Sequence, residues 1–264
     1  MKGKKIVSTL LALLLLASLP VSALAAEWDI GKGDITVNAG SGGQTVTQGS
    51  QVNVSDNAPV IKGSSKENTV TINAEKDQTA SVTLSGANID VSGKGKAAVS
   101  TNGEGNVSIE LDGDNTLKSA TNHAGLEKNN GGSLTIADEN KNGKLTAKGG
   151  DYGAGIGGGQ FVPARDITIT GGEITAHGTH GAAIGGGRWC HGQNITVTDA
   201  KLKLTTGYSR YISDEAAAMG YGDRVYLEKV YDIDVGKRYI GDLVRNPLPE
   251  DYKSIKIGSY MESW

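Results

Sequence analysis

One cysteine, five prolines and a single phenylalanine stand among 264 residues. The lone thiol, Cys190, cannot close an internal disulfide, so stability has to come from packing and hydrogen bonds. Five prolines beside 39 glycines exclude a Pro-rich disordered chain, and the glycines follow no three-residue period, which excludes a collagenous one. Basic charge is also scarce. The net charge is −3, and nucleic-acid binders carry a basic patch instead. Apolar runs are short except for Ile6 to Leu19, preceded by Lys2, Lys4 and Lys5 and followed by Ala23-Leu24-Ala25. That order of basic, apolar and small residues predicts a cleaved secretory leader over 1–25. The run is too short for a confident membrane span and no second one follows, so none is expected in the mature chain. The mature chain then carries 23 basic and 29 acidic side chains, a net charge of −6.

What is present is repetition. A small pair followed by an aliphatic residue recurs five times: Ala97-Ala98-Val99, Ala124-Gly125-Leu126, Ala154-Gly155-Ile156, Ala182-Ala183-Ile184 and Ala217-Ala218-Met219. The aliphatic members lie 27, 30, 28 and 35 residues apart. A second ladder keeps step with it: Val82-Thr83-Leu84, Val107-Ser108-Ile109, Leu134-Thr135-Ile136, Ile167-Thr168-Ile169, Ile195-Thr196-Val197 and Val225-Tyr226-Leu227. Periods of this length mark stacked repeats, and the apolar/polar alternation marks half-buried strands. Val, Ile and Thr fill these segments, as strands prefer.

The unit 166–193 shows the pattern. Ile167-Thr168-Ile169 is followed by a Gly171-Gly172 turn, then Glu173-Ile174-Thr175-Ala176, then Ala182-Ala183-Ile184, broken by Gly185-Gly186-Gly187. One such coil cannot bury its apolar face alone, whereas stacked coils share a continuous core. The expected fold is therefore all-β: one right-handed parallel β-helix with three strands per coil. About eight coils would make a rod on the order of 40 Å long at the usual strand spacing. The expected organisation is a leader at 1–25, an amino-terminal cap with irregular first coils at 26–68, repeats at 69–235 and a carboxy-terminal cap at 236–264. Caps are required because open solenoid ends pair edge to edge.

Val82-Thr83-Leu84-Ser85-Gly86-Ala87-Asn88-Ile89, Ala97-Ala98-Val99 and the stretch from Val107 to Leu117 resemble the carbohydrate-binding β-helix domain of secreted proteins of Gram-positive, largely anaerobic bacteria. That family is similar in fold to pectate lyases. The resemblance covers Asn68 to Thr206. The glycine-rich runs Gly153 to Gly159 and Gly181 to Gly187 are similar to those of large surface proteins from gut Firmicutes. It implies binding of plant or bacterial polysaccharide, and it leaves room for calcium.

Several tempting motifs read better as structure. Gly153-Ala154-Gly155-Ile156-Gly157-Gly158-Gly159 has the look of a phosphate loop, yet Gln160-Phe161-Val162-Pro163 follows where a helix is needed. His177, His180, Cys190 and His191 have no zinc-ligand spacing, so no metal site is expected. They read as exposed turn histidines and a small thiol. Asp112 and Asp114 lie in a Gly-rich turn where aspartate bonds locally; calcium there would lack any EF-hand or RTX pattern. Asp138, Glu139, Asp151 and Asp166 are scattered over turns rather than paired across a substrate, so catalysis is not expected.

Aromatics and arginines are distributed unevenly. Of 13 aromatic residues, 12 lie between Tyr152 and Trp264, and all six arginines share that half. Tyr152, Phe161 and Arg165 fall in one inserted loop; Arg188, Trp189 and His191 in the next; Tyr208, Arg210 and Tyr211 in a third. Aromatic faces stack on sugar rings and guanidinium forks hold hydroxyls or carboxylates. Tyr152, Phe161, Arg165, Arg188, Trp189 and His191 are therefore the expected carbohydrate-binding residues, a strip reading a glycan along the rod axis. The expected protein is exported and non-catalytic, secreted or held at the cell surface. Two alternatives stand beside it: a structural or adhesive surface module, and a polysaccharide lyase suggested by the resemblance alone. No LPxTG-like motif or lipobox accompanies it, so covalent anchoring is not expected.

Overall fold

A computed structural model of the chain describes residues 25–206, 219–220 and 254–257. The expected leader up to residue 24, most of the expected cap at 236–264, the Arg224 to Leu227 step and the loop bearing Tyr208, Arg210 and Tyr211 lie outside the described residues. So do the first two members of Ala217-Ala218-Met219.

The first ladder of the sequence becomes one column inside the molecule. Ile35 pairs with Val70, Val70 with Val99, Val99 with Leu126, Leu126 with Ile156, Ile156 with Ile184 and Ile184 with Met219. All seven are buried. Fully burying a side chain of this size contributes about 1.5–3 kcal/mol. The second ladder forms a parallel column through Ile109, Ile136, Ile169 and Val197; its first member joins two residues out of step, Val82 rather than Leu84 pairing with Ile109. Alternation sends the intervening residues outward: Ser81, Ser108, Thr135, Thr168 and Thr196 share one outer column, each half-buried.

Among the described residues the strands fall into two sheets, and the chain winds between them. Val70–Ala74 leads into the long Thr79–Asp90 strand; Val99–Gly103 leads into Asn106–Asp112 and Asp114–Lys118. Leu126–Lys128, Leu134–Ala137 and Lys144–Lys148 follow, then Ile156–Gly157, Ala164–Ile169 and Glu173–Gly178. Ile184–Gly185, Gly192–Thr198 and Lys201–Thr206 make the last described round. The molecule is thus an all-β solenoid with almost no helix. Among the described residues it has about five turns, where eight were expected of the whole chain.

The missing turns have a physical explanation at the amino-terminal end. Ile35–Gly40, Gly43–Gln48 and Gln51–Ser55 form an antiparallel meander, and only the first of them joins the parallel stack. The Val52-Asn53-Val54 segment is therefore an exposed edge rather than part of a coil. Beside it, Trp28 is buried and its indole donates to Asp56 Oδ2 at 2.8 Å. Buried Gln44 reaches from the meander into the first full turn, its amide donating to Ser81 O and its Oε1 accepting from Ser81 N. At the other end the second ladder does not simply continue in parallel. Ser254–Ile257 lies antiparallel on Gly192–Thr198, the place that periodicity assigns to Val225-Tyr226-Leu227.

Candidate functional site

Two loops that flank the short Ile156–Gly157 strand, and their copies one turn later, gather the aromatic side chains. The segments Gly157 to Asp166 and Gly185 to Asn194 match position by position, 28 residues apart. Their glycines let backbone meet backbone: a Cβ on Gly187 would fall 1.8 Å from Gly159 O, and one on Gly157 would fall 1.9 Å from Gly185 O. The glycine run is buried wall, not a phosphate cradle.

From that wall each loop makes a tight turn. Val162 N donates to Gly159 O and Cys190 N to Gly187 O, both at 3.0 Å. The third residue of each turn is Phe161, with φ 61°, or Trp189, with φ 66°. Such turns take Gly or Asn there, and an L side chain in this region costs about 1–2 kcal/mol. The left-handed conformation thus recurs one period apart, each time on a residue with a large ring. It holds both rings outward: Phe161 is 54% exposed and Trp189 40% exposed.

The rings meet others. Phe161 and Trp189 have centroids 5.0 Å apart, tilted by 35°. Tyr152 and His180, equivalent residues of the neighbouring loop, lie 5.5 Å apart at 32°. Arg188 joins the two pairs, its guanidinium carbon 4.7 Å from the Tyr152 ring centre and 4.5 Å from that of Trp189. The Arg188 amide also donates to Tyr152 O at 2.9 Å. His180, Tyr152, Arg188, Trp189 and Phe161 form one continuous platform. It is two turns deep, with Tyr152 and Phe161 on one turn and His180 and Trp189 on the next.

Four of the six expected residues are in this platform. Arg165 is exposed on the following strand, where its backbone pairs with Gln193. His191 is half-buried, and its carbonyl accepts from Ala164 N at 3.0 Å. Sequence reasoning misses His180 as a stacking residue, since it reads there as a turn histidine without metal-ligand spacing. Its signal was there: it stands 28 positions after Tyr152, one period on.

Beneath the platform is a buried polar group that the alternation pattern does not announce. The Glu127 carboxylate accepts from Ala124 N and Asn129 Nδ2 and meets His123 Nδ1 at 2.9 Å. Lys128 donates to Asn130 O at 2.8 Å and Gly132 O at 2.7 Å. Burial pushes its ammonium down to about 8; nearby Asp166 works against this and Arg165 with it.

The other candidate residues separate. His177 is not an exposed turn residue: it sits half-buried on the Glu173–Gly178 strand with Nδ1 2.7 Å from Thr205 Oγ1, and burial lowers its basicity. Burial raises the Cys190 thiol. Among the described residues no three His, Cys, Asp or Glu side chains gather for a metal. Asp112 accepts from Ser85 Oγ and Asn142 Nδ2, bonds that hold it below the usual carboxylate range, while Asp114 is exposed beside Lys144. Asp138 accepts from Asn142 N and Gly143 N, and Asp166 from Asn194 Nδ2. These carboxylates serve turns. An open cavity of about 730 Å³ lies by Asp138, Glu139, Glu173 and Asp199, with Lys144 and Lys201 among them.

No helix among the described residues is long and apolar enough to cross a membrane. No family model matches this chain, and no curated protein and no solved structure matches it either, so the resemblance reaches as far as the β-solenoid fold.

Proposed function

We propose that this is an exported, non-catalytic carbohydrate-binding solenoid that takes polysaccharide on the platform of Tyr152, His180, Arg188, Trp189 and Phe161. The observation that carries the reading is the pair of rings held outward by strained turns. Two large rings exposed side by side, with a guanidinium against one of them, make a contiguous patch of the kind that marks a binding site. Sugar rings offer flat C–H faces to such rings, and a guanidinium between them orients hydroxyls or carboxylates. Arg165 and His191 extend the edge of the site in this reading. The leader at 1–25, secretion, and a regular right-handed coil of three strands belong to the same proposal, the handedness because parallel crossovers are right-handed. Neither a cofactor nor calcium is part of it.

Titration calorimetry of the full chain against a polysaccharide panel tests the proposal. Binding that Trp189→Ala abolishes is the expected result. Binding to no glycan, or binding indifferent to that substitution, would remove it.

The second reading is an adhesive surface module. It draws on the exposed Gln51–Ser55 edge, where Val52 is 63% and Val54 39% exposed. Retention of the protein on cells despite Trp189→Ala would favour it.

A further inference from the structure

Resting on that carbohydrate-binding reading, we infer that buried Glu127 is a positioning residue of the platform: its carboxylate seats the loop that carries Phe161, and through that loop the one that carries Trp189. The two upper turns show what the carboxylate replaces. Ala154 N donates to Gly158 O at 2.9 Å and Ala182 N to Gly186 O at 3.0 Å, so each glycine run closes on main chain alone. In the turn below, Glu127 stands at the register position of Gly157 and Gly185. There Ala124, the counterpart of those alanines, donates to Glu127 Oε2 at 3.0 Å. A side chain has taken the place of a main-chain carbonyl, and the glycine loops begin one turn above it.

Both supports of the Phe161 turn lead to this carboxylate. The first residue of that turn is Gly159, where a Cβ would fall 2.8 Å from Glu127 Oε2 and 2.9 Å from Asn122 O. The second, Gln160, donates its amide to the same Asn122 O at 2.8 Å. Asn122 is held in turn, because the next two residues both meet Oε2: His123 Nδ1 at 2.9 Å and Ala124 N at 3.0 Å. Asn129 Nδ2 donates to the other oxygen at 3.1 Å, which keeps the carboxylate from swinging away. A buried amide such as that of Ala124 needs a partner, so withdrawing the oxygen moves residues 122–124 and the turn that rests on them. Gly187 lies on Gly159 with main chain against main chain, which passes the displacement on to Trp189.

Reach, not charge, is what this role requires. Glu127→Gln keeps an oxygen within reach of Ala124 N, Glu127→Asp keeps the charge but draws it back by one methylene, and Glu127→Ala keeps neither. Each variant of the full chain is titrated with glucan, xylan and galacturonan polysaccharides. Amide exchange is followed by mass spectrometry in the loops 157–165 and 185–193 and in the strand Lys144–Lys148. The aspartate and alanine proteins should bind whichever polymer the parent binds roughly tenfold more weakly. Their two loops should exchange faster while the strand exchanges as before, and the glutamine protein should match the parent in both readouts. Aspartate and alanine proteins that bind as the parent does, or that exchange faster everywhere alike, overturn the positioning role and leave the binding site standing. A glutamine protein as weak as the alanine one overturns it too. A parent that takes up none of the three polymers overturns the carbohydrate reading and this role with it. The aspartate protein carries both readouts by itself, so an alanine protein that misfolds does not blunt the test.

Discussion

Phe161 and Trp189 each hold a backbone conformation that suits glycine. Glycine at either place relieves the strain, whereas alanine removes the ring and keeps the strain. Phe161→Gly should therefore be more stable than Phe161→Ala by about 1 kcal/mol, read from urea midpoints, while both lose ligand. Equal midpoints would show the turn to be relaxed with a side chain in place. Lys128 gives a second prediction at this scale. Its ammonium is pushed down to about 8 in the fold, against about 10.4 in an unfolded chain. Between those values the unfolded chain binds more protons, so stability rises as pH climbs through this window and falls as pH drops back toward 8. The span is at most about 3 kcal/mol. The difference in melting temperature between the parent and Lys128→Met, followed from pH 7 to 10.5, should carry this slope; a flat difference would mean that Lys128 titrates normally.

Strands and turns were legible to different degrees. The columns through Leu126 and Ile136 could be read because alternation and a period near 28 are local patterns that survive stacking. The number of turns could not. Ile35-Thr36-Val37 and Val52-Asn53-Val54 alternate like coil strands, and alternation says nothing of strand direction. Only the Gly40-Ser41-Gly42-Gly43 corner hinted at a hairpin. The candidate site was half legible: the loops announced their aromatics, but the path of the platform depends on φ at Phe161 and Trp189, which sequence does not display. Lys128 was missed because two charged residues in a strand read as solvent-facing. At this scale Ile156→Ala, in the middle of the first column, should cost about 2–5 kcal/mol. Gly187→Ala should cost at least as much, because its Cβ has backbone 1.8 Å away and no flexible atom can yield. A Gly187→Ala protein as stable as the parent would show that the two loops can part.

At the scale of the molecule, turns related by translation can be removed whole. Deleting residues 157–184 joins Ile156 to Gly185 and restores the small-pair column, with one turn fewer. The shortened chain should keep its β-sheet circular dichroism and a cooperative melt, since each turn leans only on its neighbours. It should lose ligand, because His180 and Phe161 leave with the deleted turn. Collapse to an unfolded spectrum would mean that this turn is indispensable to its neighbours.

Where the glycines of residues 157–159 lie against those of 185–187, two main chains touch with no side chain between them. Nothing there can act as a cushion, so the upper loop cannot shift without carrying the lower one along. Freezing a mobile side chain at a binding surface costs about 0.5–1.5 kcal/mol each. Here the backbone that carries the rings is already fixed by those contacts when the chain folds. Under the proposed function, a sugar reaching the rings would meet furniture bolted to the floor.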